Sequence, residues 1–163
     1  MGFEKQREIP VIVQYQITHH AYVDLIGLLK SLPVWFNGRQ YDFYEKGLGE
    51  KDLGPGYEVE SEWVASREVT EYVKFEMSIL VRAKDVRKVV LETGEETYWS
   101  RLLIVIGAKM VKDWQGKFKP YGTEELFRQW YERFFAAKEL KEYTNKLAME
   151  TVDLIATMKS FLQ

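Results

Sequence analysis

The sequence contains no cysteine, which excludes disulfide bonds, thiolate metal sites and a cysteine nucleophile. It also lacks a long apolar run, since the longest, at 102–106, is far shorter than the roughly 20 residues that cross a bilayer. Residues 1–8 are polar and charged, without the apolar core of a secretory signal. We therefore expect a cytoplasmic protein with no integral membrane segment.

A basic excess is missing too, since 23 Lys and Arg face 25 Asp and Glu and the formal net charge is −2. Proteins that bind nucleic acids usually carry a basic excess or stripe, because phosphate contacts supply their affinity. The densest basic patch consists of Arg82, Lys84, Arg87 and Lys88, and Asp85 interrupts it. We expect no nucleic-acid partner.

What is present is an ordinary globular composition, with 46% hydrophobic, 29% charged and 15% aromatic residues. A chain of 163 residues fits one domain, 1–163, and can bury roughly 68–70% of its unfolded surface without disulfides or metals. The absence of cysteine together with abundant Lys and Glu is also a usage that thermophilic proteins favour.

The amino-terminal part shows two kinds of periodicity. Residues 9–17 predict a strand, and Thr18 is a suitable N-cap for a following helix. Pro33 is expected to end or kink this helix, and a second short turn at 34–36 precedes a strand at 39–46. The helical spacing of three and four residues is carried by Tyr22, Leu25, Ile26, Leu29 and Leu32.

Period-two patterns with one polar face dominate the middle of the chain and predict antiparallel strands. These strands are expected at 57–65, 69–83, 86–92, 98–112 and 117–119. The second would be roughly 50 Å long if straight, so a domain of this size requires it to bend or bulge. Together with the two strands nearer the amino terminus, they predict a curved antiparallel sheet of about six or seven strands.

The carboxyl-terminal residues predict a long helix. Thr123 is a suitable N-cap with Glu124 and Glu125 in the first turn, and neither Gly nor Pro occurs from there to Gln163. Such a helix would measure about 60 Å, longer than the roughly 40 Å expected for the domain. We expect it either to kink near 136–138 or to project its end into a partner. The predicted fold class is α+β, with short helices after the first strand and the long C-terminal helix packed on the sheet.

This order of elements resembles the helix-grip fold of the START and birch-pollen-allergen-like (SRPBCC) superfamily. A glycine-rich loop between the second and third strands, with Gly47, Gly49, Gly54 and Gly56, adds to the resemblance, which covers nearly the whole chain. The resemblance implies an apolar cavity between sheet and helix. Members of the superfamily bind lipids, hormones or polyketides there, and some catalyse cyclisation or hydration. No functional residue is carried over, because the likeness is one of element order without a shared motif.

Two patterns that often carry chemistry have simpler explanations here. The 49–56 stretch has the glycine spacing of a phosphate loop, but Pro-Gly replaces the required Lys-Ser/Thr and no helix follows. His19 and His20 are the only histidines, and at a helix start they would point about 100° apart, so they could not share an ion. His20 and Asp24 could share a face, but a metal site usually needs a third ligand. We expect no metal site and no cofactor.

Glu58, Glu60 and Glu62 are spaced like paired carboxylates. Period two places them in one row on the polar face of a strand, where we expect them opposite Lys74 or Arg82. The row therefore indicates cross-strand ion pairs, and no catalytic residue is assigned.

Two charges interrupt otherwise apolar faces. Glu71 has the same parity as Val69 and Val73, and Arg101 shares a face with Trp99 and Leu103. A charge inside a cavity would need a partner and could orient a ligand. A bend or sheet edge that leaves each of them in water explains the pattern as well.

The candidate ligand-binding residues are these two charges and a set of large apolar side chains on the predicted sheet and C-terminal helix. The full set is Trp63, Glu71, Phe75, Met77, Arg101, Trp130, Tyr131, Phe134 and Tyr143. The apolar members would also suit a filled core, since both environments select the same residue types.

The sequence leaves three functions open. The first is binding of a hydrophobic small molecule or lipid in the cavity between sheet and helix. The second is an enzyme of cyclase or hydrolase type that uses the same cavity and needs a titratable group with a shifted pKa. The third is a structural or interaction protein with a filled core that forms a homodimer through its C-terminal helix. The residues expected at that interface are Leu147, Leu154, Ile155, Met158 and Phe161.

Overall fold

The computed structural model describes residues 8–52, 56–115 and 137–162, with no side-chain description at 48, 50–52 and 137. Within these residues the protein is α+β, with five strands and two helices. They are β1 (Glu8–Val23), α1 (Leu25–Gly38), β2 (Asp42–Asp52), β3 (Tyr57–Glu68), β4 (Val73–Val90), β5 (Glu96–Lys112) and α2 (Ala137–Lys159). The strands form one curved antiparallel sheet in the order β1-β5-β4-β3-β2.

The two faces of the sheet differ in burial, as the alternating pattern of the sequence predicts. We call the inner face the one that carries Phe75, Ile79 and Ile104, all at most 1% exposed. Helix α2 packs on this face against β5 and β1, and α1 packs against β2 and α2. The outer face carries charged side chains such as Glu60 and Arg82, which form a cross-strand ion pair.

The predicted number of six or seven strands is wrong for the described residues, because β4 continues through a bulge. The register shifts between Lys84 and Arg87, and Asp85 adopts a positive φ of 54° there. An extra bulge residue bends a strand without ending its pairing. The strand predicted at 86–92 is therefore the second half of β4, while the one predicted at 117–119 lies outside the described residues.

The first helix starts later than predicted and is one helix of 14 residues. Thr18, the predicted N-cap, pairs instead with Leu103, because β1 continues along β5 as far as Val23. Tertiary pairing overrides the local helical spacing in this segment. Pro33 neither ends nor divides the helix, which runs on to Gly38.

Asp24 is the actual N-cap of α1, because its Oδ1 accepts a hydrogen bond from the Gly27 N–H at 3.0 Å. We expect Asp24→Ala to lower the free energy of unfolding by about 1 kcal/mol, as loss of a cap typically does. Asp24→Asn keeps an accepting oxygen and should stay close to the parent protein. Urea unfolding of the three proteins measures this, and an equal loss in both variants would contradict the capping role.

The residues that follow α2, as far as Leu162, are tied to the sheet of their own chain. The backbone N–H of Asp24 donates to the carbonyl of Phe161 at 3.0 Å, and Val23 forms a β-bridge with Leu162. Leu147 and Leu154 are fully buried inside their own chain, as is Met158. Three of the residues that were predicted at a dimer interface are therefore covered by their own chain.

The predicted helix start at Thr123 and the approach to the predicted kink at 136–138 lie outside the described residues. The described part of α2 spans 23 residues, from Ala137 to Lys159. Neither helix in the described ranges combines the length and apolar character that a membrane span requires.

Candidate functional site

A row of aromatic rings leads from α1 across the edge of the sheet. The Phe36 ring stacks on Phe43 with centroids 5.3 Å apart, and Phe43 lies 6.1 Å from the ring of Trp63. Phe36 also meets the edge of Trp35 at 5.6 Å. The row brings a helix, the edge strand β2 and the inner face of β3 together, and it ends at an indole.

Trp63 is 7% exposed, and its Nε1–H has no hydrogen-bond partner among the residues that the structure describes. The same holds for the Oγ of Ser100, which is fully buried in β5. Buried donors and acceptors are nearly always satisfied, and leaving one unpaired costs about 1–3 kcal/mol. On the described inner face, the Trp63 N–H and the Ser100 hydroxyl are therefore free to form hydrogen bonds with a ligand.

The two unused groups lie far apart on the same side of the sheet. Trp63 pairs with Ile79, which pairs with Ile106 on β5. Ser100 lies six residues from Ile106 along β5, which corresponds to roughly 20 Å at the strand rise. A ligand that satisfied both groups would have to be elongated.

Four of the predicted ligand-binding residues lie on or against the inner face. Trp63, Phe75 and Met77 are buried in β3 and β4. Tyr143 of α2 meets the edge of the Phe75 ring with centroids 6.4 Å apart. The structure therefore brings these sheet and helix side chains together. The candidates Trp130, Tyr131 and Phe134 lie outside the described residues.

The two charged candidates are placed elsewhere. Glu71 is exposed in the turn between β3 and β4. The alternation that predicted it on the same face as Val73 does not apply, because Glu71 is not part of a strand. Arg101 is on the outer face, where its Nε donates to Asp85 Oδ2 at 2.6 Å. A turn and a solvent-facing strand position leave both in water, so neither can orient a ligand on the inner face.

The sequence reasoning missed a half-buried polar network that joins α2 to the sheet. The Nη2 of Arg67 donates to the two carboxylate oxygens of Glu150 at 2.9 and 3.1 Å. Tyr41 donates its hydroxyl hydrogen to Glu150 Oε2 at 2.6 Å. Arg67 also donates to the backbone carbonyl of Arg39 at 2.9 Å. Only 16% of the Arg67 side chain and 15% of that of Glu150 are exposed.

Burial raises the pKa of Tyr41 well above its ordinary value, and the hydrogen bond to the Glu150 carboxylate raises it further. The Arg67 guanidinium lies 4.7 Å from the centre of the Tyr41 ring and 5.3 Å from that of Phe75. Arg67 and Tyr41 together donate to both carboxylate oxygens of Glu150. The network therefore connects α2 to β3.

Asp153 extends this network by one helical turn. It accepts from the Trp35 Nε1–H at 2.9 Å and forms an ion pair with Arg39, whose guanidinium lies 4.4 Å above the Trp35 ring. One signal in the sequence could have revealed the network. Glu150 stands three residues after Leu147 and four before Leu154, so it interrupts the apolar stripe of α2.

The structure also shows where the two histidines and the glutamate row lie. His19 and His20 lie in β1, not at a helix start, and the His19 ring Nε2 is 3.0 Å from the Tyr22 carbonyl. In the described ranges, no group of three or more His, Asp or Glu residues is arranged to hold a metal ion. Glu60 pairs with Arg82 at 2.9 Å, as predicted.

The predicted cross-strand partnership of Lys74 with the glutamate row is not formed. Lys74 pairs with Glu76 of its own strand at 3.7 Å, and Glu62 pairs instead with Lys46 of β2 at 3.5 Å. The register explains the difference, because Lys74 stands opposite Glu68, beyond the end of the row.

No protein-family model matches this sequence, and no curated protein does either. The architecture, an antiparallel sheet with helices packed on it, is compatible with a helix-grip-like fold. The side chains of this chain are therefore the source of evidence for its function.

Proposed function

We propose that the protein binds a hydrophobic small molecule or lipid between the inner face of the sheet and α2. The observation that carries this proposal is the Trp63 Nε1–H, which is buried at the end of the aromatic row and has no partner within 8–52, 56–115 and 137–162. Ligand sites are mostly apolar with a few placed polar groups that fix orientation. An indole N–H among aromatic rings is such a group, and it calls for a ligand with an accepting oxygen.

Ser100 supports an elongated ligand, because its unpaired hydroxyl lies on the same face roughly 20 Å away. A molecule of that length with an oxygen near each end, such as a hydroxylated acyl chain, matches both groups. Membership of the START-like superfamily, in which such ligands bind at the same place in the fold, and a cytoplasmic location form part of this proposal.

The other two functions have less support. An enzyme would need a free acid or base, and the carboxylate that α2 buries at Glu150 is taken up by Arg67 and Tyr41. A dimer through α2 would need its apolar stripe, and Leu154 of that stripe is buried in its own chain.

The proposal predicts that Trp63→Phe weakens ligand retention at least about five-fold, because one buried hydrogen bond is worth about 1 kcal/mol. Native mass spectrometry of the purified protein, before and after incubation with 16-hydroxypalmitate, which has an oxygen at each end, measures the fraction that carries an adduct. Trp99→Phe is the matched control, since Trp99 lies on the outer face beside Arg87 and should leave retention unchanged. A parent protein that stays bare in both samples, or equal retention in all three proteins, would refute the proposal.

A further inference from the structure

The outer face carries a second feature, which does not depend on the inner-face proposal. A cleft of about 270 Å³ opens where β1, β5 and β4 lie side by side. Four of its lining side chains carry basic nitrogen, namely His20, Arg82, Lys84 and Arg101, and Thr18 and Leu103 complete the outward-facing wall. Although the chain as a whole has a net charge of −2, none of the described residues that line this cleft carries a carboxylate.

The strand register produces this clustering. His20 stands opposite Arg101, and Arg101 opposite Lys84, so three side chains from three strands form one row. The next row along the strands places Arg82 opposite Leu103. Neighbouring strands lie about 4.8 Å apart, so the nitrogens of one row can reach a single small group.

Two carboxylates orient the guanidinium groups from outside the cleft. Glu60 accepts from Arg82 Nε at 2.9 Å, and Asp85 accepts from Arg101 Nε at 2.6 Å. Asp85 can do so because it is the bulge residue of β4, with φ of 54°. Each guanidinium has five N–H donors, so donors remain for a ligand. Lys84 forms no ion pair with any residue in the described ranges.

We propose that this cleft binds a phosphate group, carried either by a phosphorylated small molecule or by a lipid headgroup. A phosphate offers several oxygens in a tetrahedral arrangement and up to two negative charges, which suits donors that converge from three strands. Arginine forks bind such oxygens in pairs, the Lys84 ammonium adds a point charge, and the Thr18 hydroxyl can donate. A single carboxylate would leave most of these donors unused.

Inorganic pyrophosphate is the probe, and its binding is followed by shifts of backbone amide signals in two-dimensional NMR. We expect saturable shifts confined to the cleft strands around His20, Lys84 and Arg101. Lys84→Gln should raise the dissociation constant by about two- to five-fold, in line with the loss of one exposed charge contact. Lys88→Gln is the matched control, because Lys88 is exposed on the same strand but pairs with Glu96 outside the cleft.

Equal weakening of pyrophosphate binding in Lys84→Gln and Lys88→Gln would mean non-specific attraction and would overturn the proposal. Amide shifts that never saturate, or that spread over the whole surface, would overturn it as well. Sedimentation with phosphatidate vesicles, against phosphatidylcholine vesicles, then separates the two sources. Binding to phosphatidate vesicles that Lys84→Gln weakens and Lys88→Gln does not assigns a lipid headgroup. Pyrophosphate binding without vesicle binding assigns a free phosphorylated ligand. A single-stranded oligonucleotide that binds more tightly than pyrophosphate and quenches Trp99 would replace the proposal with a nucleic-acid interface.

Discussion

Glu150→Ala is expected to lower the free energy of unfolding by about 3 to 5 kcal/mol, the usual cost of breaking a buried ion pair by removing one partner. The carboxylate accepts three hydrogen bonds from Arg67 and Tyr41, and both charged side chains of the pair are less than one-fifth exposed. The substitution leaves the Arg67 guanidinium and the Tyr41 hydroxyl without their acceptor in a poorly hydrated space. The loss is a large share of the roughly 5–15 kcal/mol by which domains are stable.

Urea unfolding followed by circular dichroism measures this difference. Glu142→Ala is the matched control, because Glu142 is an exposed glutamate two turns earlier on the same helix. Its effect should stay within about 0.5 kcal/mol, as for most surface substitutions. If both variants lose the same small amount, α2 is not fastened by this network.

A double variant distinguishes the stability that the Arg67–Glu150 ion pair contributes from the cost of leaving Arg67 buried without a partner. Arg67→Met with Glu150→Leu removes both charges and replaces them with apolar groups of similar size. Because well-packed apolar residues often replace a buried ion pair without loss, the double variant should be more stable than Glu150→Ala alone. A double variant no more stable than Glu150→Ala would show that the ion pair itself, and not only the orphaned Arg67 charge, sets the stability of this contact.

Period two, read from the sequence, correctly placed the polar and apolar faces of β3 and of β4 as far as its bulge, but not those of β5, which is apolar on both faces at 102–106. It succeeded in β3 and β4 because each of these two strands has one wet face, and Glu60 and Phe75 follow that rule directly. The same local reasoning failed between Thr18 and Val23. There the helical spacing of apolar residues competes with pairing to β5, a strand far away along the chain. Local sequence patterns carry no information about such a distant partner.

Residues of the candidate site were predictable only where burial determined them. Trp63 and Phe75 could be assigned to the inner face from their parity. The apolar neighbours Trp99 and Leu103 wrongly suggested that Arg101 faces inward, and only the strand register reveals its outward row with Lys84. The partnership of Arg67 with Glu150 spans 83 residues of sequence. It follows from how α2 lies across the sheet, and no spacing rule contains that information.

At high pH the parent protein is expected to lose stability faster than its Tyr41→Phe variant. In the folded protein the pKa of Tyr41 lies well above its ordinary value of 10.0, chiefly because the buried phenolate would be deprived of water. The unfolded chain releases the phenolic proton at its ordinary pKa, while the folded protein keeps it. This contribution to stability is therefore complete below about pH 10 and declines as the pH rises further.

The size of the decline follows from the linkage relation. At pH 11 the parent should have lost about 1.4 kcal/mol more than Tyr41→Phe, relative to pH 8 for each protein. The variant lacks the phenol in both states, and the remaining tyrosines contribute equally to both proteins. Urea unfolding at the two pH values measures the difference.

Tyr44→Phe is the control that assigns the effect to burial. Tyr44 is 60% exposed, so its removal should leave the pH dependence of the parent unchanged. If the parent and Tyr41→Phe instead lose stability in parallel between pH 8 and 11, the folded protein ionises Tyr41 as readily as the unfolded chain does. The hydroxyl would then be reached by water, and the Glu150 carboxylate beside it would be open to solvent as well. In that event Glu150 could serve as a base, and the enzyme alternative would regain support.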